Sequence, residues 1–390
     1  MRKPALTVIL LGMVFCCSAQ TLNTSFFLDH DNTRYRINPA FMPDDRVNGF
    51  FGFAIDGITL STNTNVGLSS FIFPVDGGVA TGFNSQIPAE QFLEGLKDKV
   101  KLNLGANINL FTAGFRIDSD SFTIIELNAR SNSFANIPKP VFAFLKLGSS
   151  ESNPDLGKVD ASSENYFELA VGYSRKIGDK LQIGGRLKAL GGLIGDGTLA
   201  NQIARYSRGL SSAGFGAAID LGASYELLDG LELSAALQDL GIISSRNSDT
   251  GGAPATNAKS RAAMPIPMVL RFGARYAMPF YDRLSFGILE TFRSGQYSSY
   301  NDTRLGMTVT PVDNISLVVN YGLTSYGSTM GLAVNFSVGP VQLYAGTDAM
   351  KFKYTPQGVP VSDWNTTASV GLLLQFRTSK RTFRNDLISD

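Results

Sequence analysis

The sequence predicts an all-β fold, a transmembrane antiparallel β-barrel of about fourteen strands with an N-terminal luminal segment and short helices in its outer loops. Three observations lead there. From residue 166 onward, runs of about ten residues alternate apolar and polar, as strands with lipid outside and water inside must. The connections between those runs are alternately short and long. No stretch approaches the ~20 consecutive apolar residues that a membrane helix needs.

The chain begins with Arg2 and Lys3, an apolar run from Ala5 to Phe15, and the small residues Cys17-Ser18-Ala19. This pattern reads as a secretory signal peptide over residues 1–19, cleaved before Gln20, with an apolar run too short to cross a bilayer. A lipoprotein reading of Cys16 is disfavoured by the bulk of Val14-Phe15 in front of it. Cys16 and Cys17 are the only two cysteines, so the mature chain is expected to lack disulfides, thiolate metal sites and cysteine nucleophiles. Removing Arg2 and Lys3 from 34 basic residues leaves 32 against 33 acidic, a net charge of −1. Without a basic surplus, nucleic acid is not an expected partner.

Residues 20–46 show little strand alternation and concentrate Asp29, His30, Asp31, Arg34, Arg36, Asp44, Asp45 and Arg46. Two readings stand: a plug inside the barrel, or a periplasmic lead-in peptide. A plug would pair these charges with strand residues that alternation turns inward, namely Glu168, Arg186, Lys188, Asp220, Glu226, Glu232, Arg271 and Arg275. Asn38-Pro39 reads as a turn leading into the first strand, because the proline biases Asn38 towards extended geometry.

The barrel is expected over 47–377. Tyr166 to Lys176 places Phe167, Leu169, Val171 and Tyr173 on one face, and Leu181, Ile183 and Leu187 repeat the arrangement after the tight turn Ile177-Gly178-Asp179-Lys180. Further runs lie near Phe215–Leu227, Leu231–Leu240, Met268–Met278, Leu284–Phe292, Thr303–Thr310, Ile315–Leu323, Thr329–Val338, Val341–Asp348 and Thr367–Phe376. If short turns are periplasmic, an odd number of strands must precede Tyr166. Gly49–Leu60, Lys101–Arg116 and Ser121–Ser131 supply three, which makes fourteen. Sixteen is the alternative, with extra strands at Val66–Phe73 and within 140–147. A parity slip near Leu110-Phe111 points to a bulge. The row Ala368, Val370, Leu372, Leu374 and Phe376 faces lipid, and residues 378–390 form a polar periplasmic tail.

Two loop segments are not strand-like. Ile87 to Val100 sets Phe92, Leu93, Leu96 and Val100 at helical spacing, and Pro140 to Leu147 contains Phe142, Phe144 and Leu145. They read either as loops folded over the barrel mouth or as an apolar groove for a ligand or partner.

The segment Asn38-Pro39-Ala40-Phe41-Met42-Pro43, the Ile87-Pro88…Phe92-Leu93 stretch, and Asp220-Leu221-Gly222-Ala223-Ser224-Tyr225 followed by Leu233 to Gly241 resemble a Bacteroidota outer-membrane barrel family of unknown function. More distantly, they are similar to the long-chain fatty-acid transporter superfamily, which includes the shuttle barrel of type IX secretion. The resemblance covers nearly the whole mature chain. It implies fourteen strands and an N-terminal segment lodged in the lumen, without implying a substrate.

Catalysis is not expected. His30 is the sole histidine, no Gly-x-Ser-x-Gly elbow occurs at a strand-to-helix turn, and Asp44-Asp45 carries no informative spacing. Neither a transition-metal site nor a cofactor is expected from these ligand types, and an oxygen-only calcium site in the Asp/Asn-bearing loops stays open as an alternative. The glycines of 191–197 lack a phosphate-loop ending and are assigned to an outer loop. The functional expectation is a plugged outer-membrane barrel passing apolar or amphipathic small molecules. The alternative is a non-enzymatic scaffold for an envelope secretion or surface-assembly machine. The expected partners are outer-membrane lipid, an apolar small-molecule ligand, or an envelope protein.

Overall fold

The computed structural model describes residues 21–76, 78–148, 159–198, 213–246, 261–295, 299–325, 327–349 and 366–377. The signal-peptide reading of 1–19 and the tail at 378–390 lie outside them. Seventeen strands run in chain order: β1 Val47–Thr64, β2 Ile72–Val75, β3 Gly78–Thr81, β4 Lys99–Asp118, β5 Ser121–Pro138, β6 Asp160–Ile177, β7 Leu181–Thr198, β8 Gly214–Leu228 and β9 Leu231–Arg246. They continue with β10 Arg261–Pro265, β11 Met268–Met278, β12 Tyr281–Ser294, β13 Tyr300–Val312, β14 Ile315–Thr324, β15 Gly327–Val338, β16 Val341–Thr347 and β17 Thr366–Arg377.

β2 and β3 form a hairpin outside the barrel. β10 and β11 both pair with β9 and act as one wall strand, interrupted at Ile266-Pro267 because proline has no N–H for the ladder. The closed barrel therefore has fourteen antiparallel strands, joined where β1 meets β17. Side-chain alternation is inside-out relative to a soluble sandwich. Phe167, Leu169, Val171 and Leu187 are 49–67% exposed on the outer wall. Asn128, Glu168, Arg186, Thr308, Asn320 and Gln375 are buried within. The row from Ala368 to Phe376 lies outward, and the slip at Leu110-Phe111 is a register shift between Asn109 and Phe111 in the β4–β5 ladder.

Tight turns close one rim, and Gly230 and Gly339 take positive φ there, where a side chain would be strained. Both ends of the barrel, Val47 and Arg377, meet at this rim. β4 to β7 span 18–20 residues, whereas ~9–11 cross a bilayer. The excess rises beyond the opposite rim and carries a dome.

The dome corrects several expectations. Among the described residues there is no fifteenth or sixteenth wall strand: Leu68–Ser70 is a single 3₁₀ turn, and 140–147 is helical. The segment from Ile87 is helical only over α1, Ala89–Glu94, because the helix stops at Gly95 and Val100 already belongs to β4. α2, Lys139–Leu147, starts at the proline pair that suits a helix N-terminus. Residues 191–197 are not a loop but the upper half of β7, paired with β6 out to Thr198. A side chain at Gly192 would strike the Tyr166 backbone across that ladder, so glycine there serves strand packing.

Candidate functional site: the lumen and residues 21–46

Polar strands enclosing a lumen leave inward donors and acceptors that must find water or protein. Here residues 21–46 lie among them. A 3₁₀ turn at Asn23–Phe27 sits against β12 to β16, and its exposed N–H groups point at one carboxylate. Asn23 N and Thr24 N donate to Asp348 at 2.9 and 2.8 Å. Phe26 and Phe27 meet edge-to-face at 5.1 Å and pack with Leu28, Ile37 and Phe41 on Leu289, Val318 and Ala333. Gln342 Nε2 donates to His30 O at 3.0 Å, and Asn32 Nδ2 to Gln375 Oε1 at 3.1 Å, so the middle of the segment is held by β16 and β17.

The wall makes room by lacking side chains. Gly184 and Gly222 are cross-strand partners on β7 and β8, and both lie under Asn38-Pro39-Ala40. A Cβ at Gly222 would come 2.9 Å from Pro39 Cδ, and one at Gly306 would come 2.6 Å from the Phe27 ring. Asn38 itself is buried, donates to Ala223 O and Ala235 O, and accepts from Ala40 N in a turn closed by Phe41 N to Asn38 O at 3.0 Å.

The charged residues separate into groups. Arg36 reaches Glu126 at 2.8 Å and Arg275 pairs with Asp29, whereas Arg34 is 3.9 Å from Glu232 and stacks over Phe41. Burial pushes the Asp29 carboxyl up, but the Arg275 guanidinium outweighs it and the net shift is downward. Asp31 meets no wall cation: it accepts from Thr33 N and Oγ1 at 2.8 Å, and burial holds its carboxyl above the usual range. Glu226 is exposed at the tight-turn rim, where it lines the mouth of the lumen with Glu232, Arg34 and Arg275.

Glu168, Arg186, Lys188 and Asp220 meet in one interior network. Lys188 contacts Asp220 at 2.8 Å and Asp239 at 2.6 Å, and Arg130 contacts Glu168 at 2.7 Å and Asp239 at 2.9 Å. Arg186 pairs with Glu126 and lies 3.4 Å from Glu168. With Arg36, four cations face four carboxylates, so this interior patch is neutral. Sequence reasoning missed Glu126, Arg130, Asp239 and Tyr35. The first two were readable, since they share the inward parity of Asn128 on β5. Asp239 was not, because it sits at positive φ beside a bulge that shifts the β8–β9 register. Arg271 also faces inward and donates to Gln238.

At the tight-turn rim, His30 Nδ1 lies 3.3 Å from Asp44, which also pairs with Arg46 at 3.0 Å. The hydrogen bond from His30 holds the Asp44 carboxyl far below its ordinary range, against partial burial and with help from Arg46. A depressed folded-state pKa contributes stability above the unfolded value of ~3.9 that is lost as pH falls through the folded one. Acid titration of the wild type should therefore loosen this anchor only below about pH 4, and Asp44→Asn should lose it at neutral pH. Protease susceptibility of residues 40–46 against pH measures it; identical profiles for the two proteins would rule this anchor out.

In the dome, Phe92, Leu96 and Phe142 are buried in one cluster, with Leu93 and Leu145 packed against it and Phe144 half-buried. Phe92 and Phe142 stand 6.4 Å apart edge-to-face, and Phe71 lies 5.9 Å from Phe142. A ligand there would have to displace those rings. Among the described residues, no group of histidine, cysteine or carboxylate side chains is arranged to hold a metal ion.

A sequence model for DUF5723, described as a family of unknown function, matches residues 39–202, 195–258 and 252–348. No curated protein matches the chain in sequence. Among solved structures, the Pseudomonas putida toluene transporter TodX aligns at 10% identity over 92% of this chain and 98% of its own, with TM-score 0.47. The Ralstonia pickettii toluene transporter TbuX aligns at 11% identity over 93% and 97%, with TM-score 0.47. A Pseudomonas aeruginosa FadL homologue aligns at 12% identity over 92% and 98%, with TM-score 0.36. Likeness at this level assigns no substrate.

Proposed function

Because the chain belongs to DUF5723, a family whose name states no task, its role must come from its own geometry, and we propose a gated outer-membrane barrel. In this reading residues 20–46 form a plug, and apolar or amphipathic small molecules pass when it moves. The observation that carries the reading is the seating of Phe26 and Phe27 on Gly273, Gly287 and Gly306, with Leu289, Val318 and Ala333 alongside. Withdrawal of that segment would leave a hollow sized for two phenyl rings inside an otherwise polar lumen. Such a hollow suits an apolar or aromatic group, with Thr308 and Asn335 free to bond its polar end once Phe27 O and Asp29 O leave them. The polar strand interior facing water and the apolar outer wall facing lipid support placement in the outer membrane.

The test is single-channel conductance of the mature protein in a planar bilayer beside a variant lacking residues 21–46. A closed wild type with an open deletion variant is expected; equal conductance in both would refute the plug. Silence in both would favour the second reading, a sealed scaffold for an envelope machine. That reading draws on how many wall strands the segment is bonded to, which suits a permanent core as well as a gate.

A further inference from the structure

On the dome side of the charged network, the lumen holds a small cavity of about 30 Å³ bordered by Arg130, Glu164, Asp239, Arg271, Arg293 and Tyr300. Two of its arginines are matched. Arg130 pairs with Glu168 and Asp239, and Arg293 with Glu164 at 3.2 Å. Arg271 is not: it is 5% exposed, donates Nη1 to the neutral Gln238, and among the described residues has no carboxylate in contact. Among the described residues, the Nε atoms of Arg130, Arg271 and Arg293 and the hydroxyl of Thr291 find no hydrogen-bond partner, and all four residues line this cavity. Three cations against Glu164 and Asp239 leave the wall with one positive charge in excess. A buried unmatched guanidinium costs several kcal/mol, and such a group is stable only with a counter-charge.

We propose that this cavity is an anion site that takes one carboxylate group, with Arg271 as its principal ligand. Charge and size select that group. The excess is a single positive charge, and one water-sized atom needs ~10–15 Å³ of such volume, so about two oxygens fit. A guanidinium presents paired N–H groups at the spacing of a carboxylate's two oxygens, which a spherical halide does not match. Ile266, Pro267 and Val269 line the same cavity where the wall strand is interrupted. The carboxylate is therefore either a free small acid or the head of a longer amphipathic one. Thr21 of the luminal segment also borders the cavity, but all of its charged lining comes from the wall.

The test uses the full mature protein, unfolded in urea, refolded in detergent into a low-salt zwitterionic buffer, and heated with formate, n-octanoate or chloride at equal ionic strength. Heat-modified gel mobility reads the unfolding temperature, and the line width of ¹³C-formate reads binding directly. Formate should raise the unfolding temperature by a few degrees and broaden its own resonance, with chloride doing neither. Octanoate matching formate assigns a free group, and octanoate acting more strongly than formate assigns a head group; both support the site. Arg271→Gln keeps a neutral donor for Gln238. It should fold, lose the formate effect, and unfold without added anion at a temperature no lower than the wild type. Formate acting no differently from chloride on the wild type, or acting equally on Arg271→Gln, would overturn the proposal.

Discussion

Replacing Gly222 by leucine should open the barrel without unfolding it. The residue faces inward on β8, opposite Gly184 on β7, and the two strands close to within van der Waals distance of Asn38-Pro39-Ala40. A leucine there occupies the volume of the turn, and neither the proline ring nor the strand backbone has a soft coordinate by which to yield. Overpacking of this kind costs ~1–3 kcal/mol or more. At ~3 kcal/mol the balance between seated and displaced segment shifts by roughly a hundredfold. The wall itself loses nothing, since leucine is compatible with a strand. Gly222→Leu should therefore keep its heat-modifiable mobility yet conduct in a planar bilayer. Gly191→Leu is the control: a Cβ there meets only the Phe215 ring, at an ordinary 3.6 Å, and that protein should stay closed. Conductance in both, or in neither, would separate the glycine cradle from the closure of the lumen.

The largest loss of stability is expected from Glu126→Ala. Glu126 is fully buried on β5 and accepts from Tyr35 at 2.7 Å, from Arg36 at 2.8 Å and from Arg186. Tyr35 in turn stacks on Phe50, and Phe50 on Phe122, so the carboxylate anchors both the luminal segment and an apolar patch at the barrel base. Removing it leaves the interior network with four cations against three carboxylates, and breaking one side of a buried pair costs ~3–5 kcal/mol. Thermal unfolding by gel mobility should show Glu126→Ala well below the wild type. Glu126→Ala combined with Arg36→Ala should recover part of the loss, because three cations then face three carboxylates. A double variant as unstable as the sum of its parts would mean that these residues do not act as a network.

These expectations rest on inputs that became readable at different levels. Wall strands are legible in sequence because a pleated strand between lipid and water imposes a period of two that needs no knowledge of its neighbours. Thus Met268–Met278 has the bounds that alternation assigns, and strand parity leads to fourteen without any tertiary information. Alternation also turned Glu168, Arg186, Lys188 and Asp220 inward. The upper half of β7 escaped it, since glycines carry no polarity signal, and the reading over Ile87–Val100 overextends α1 because helical spacing says nothing of where Gly95 ends it.

Which inward residues touch is another matter. Glu126 with Arg36, Asp29 with Arg275, and Asn23 with Asp348 are separated by 90, 246 and 325 positions, and no local pattern encodes such a pairing. The role of the inward glycines appears only once the segment they receive is in place. Asp239 enters the network through a bulge that reverses parity, and Arg271 stands out only once the carboxylates among the described residues are assigned to other cations. The sequence by itself determined the barrel and the side of the wall on which each regular position falls, and narrowed the strand number to fourteen or sixteen, because those follow from one-dimensional periodicity in two solvents. Only the tertiary structure decided which charges are matched, which glycines are seats and where one cation has no carboxylate in contact among the described residues, because these depend on closing a lumen whose contacts are remote in the chain.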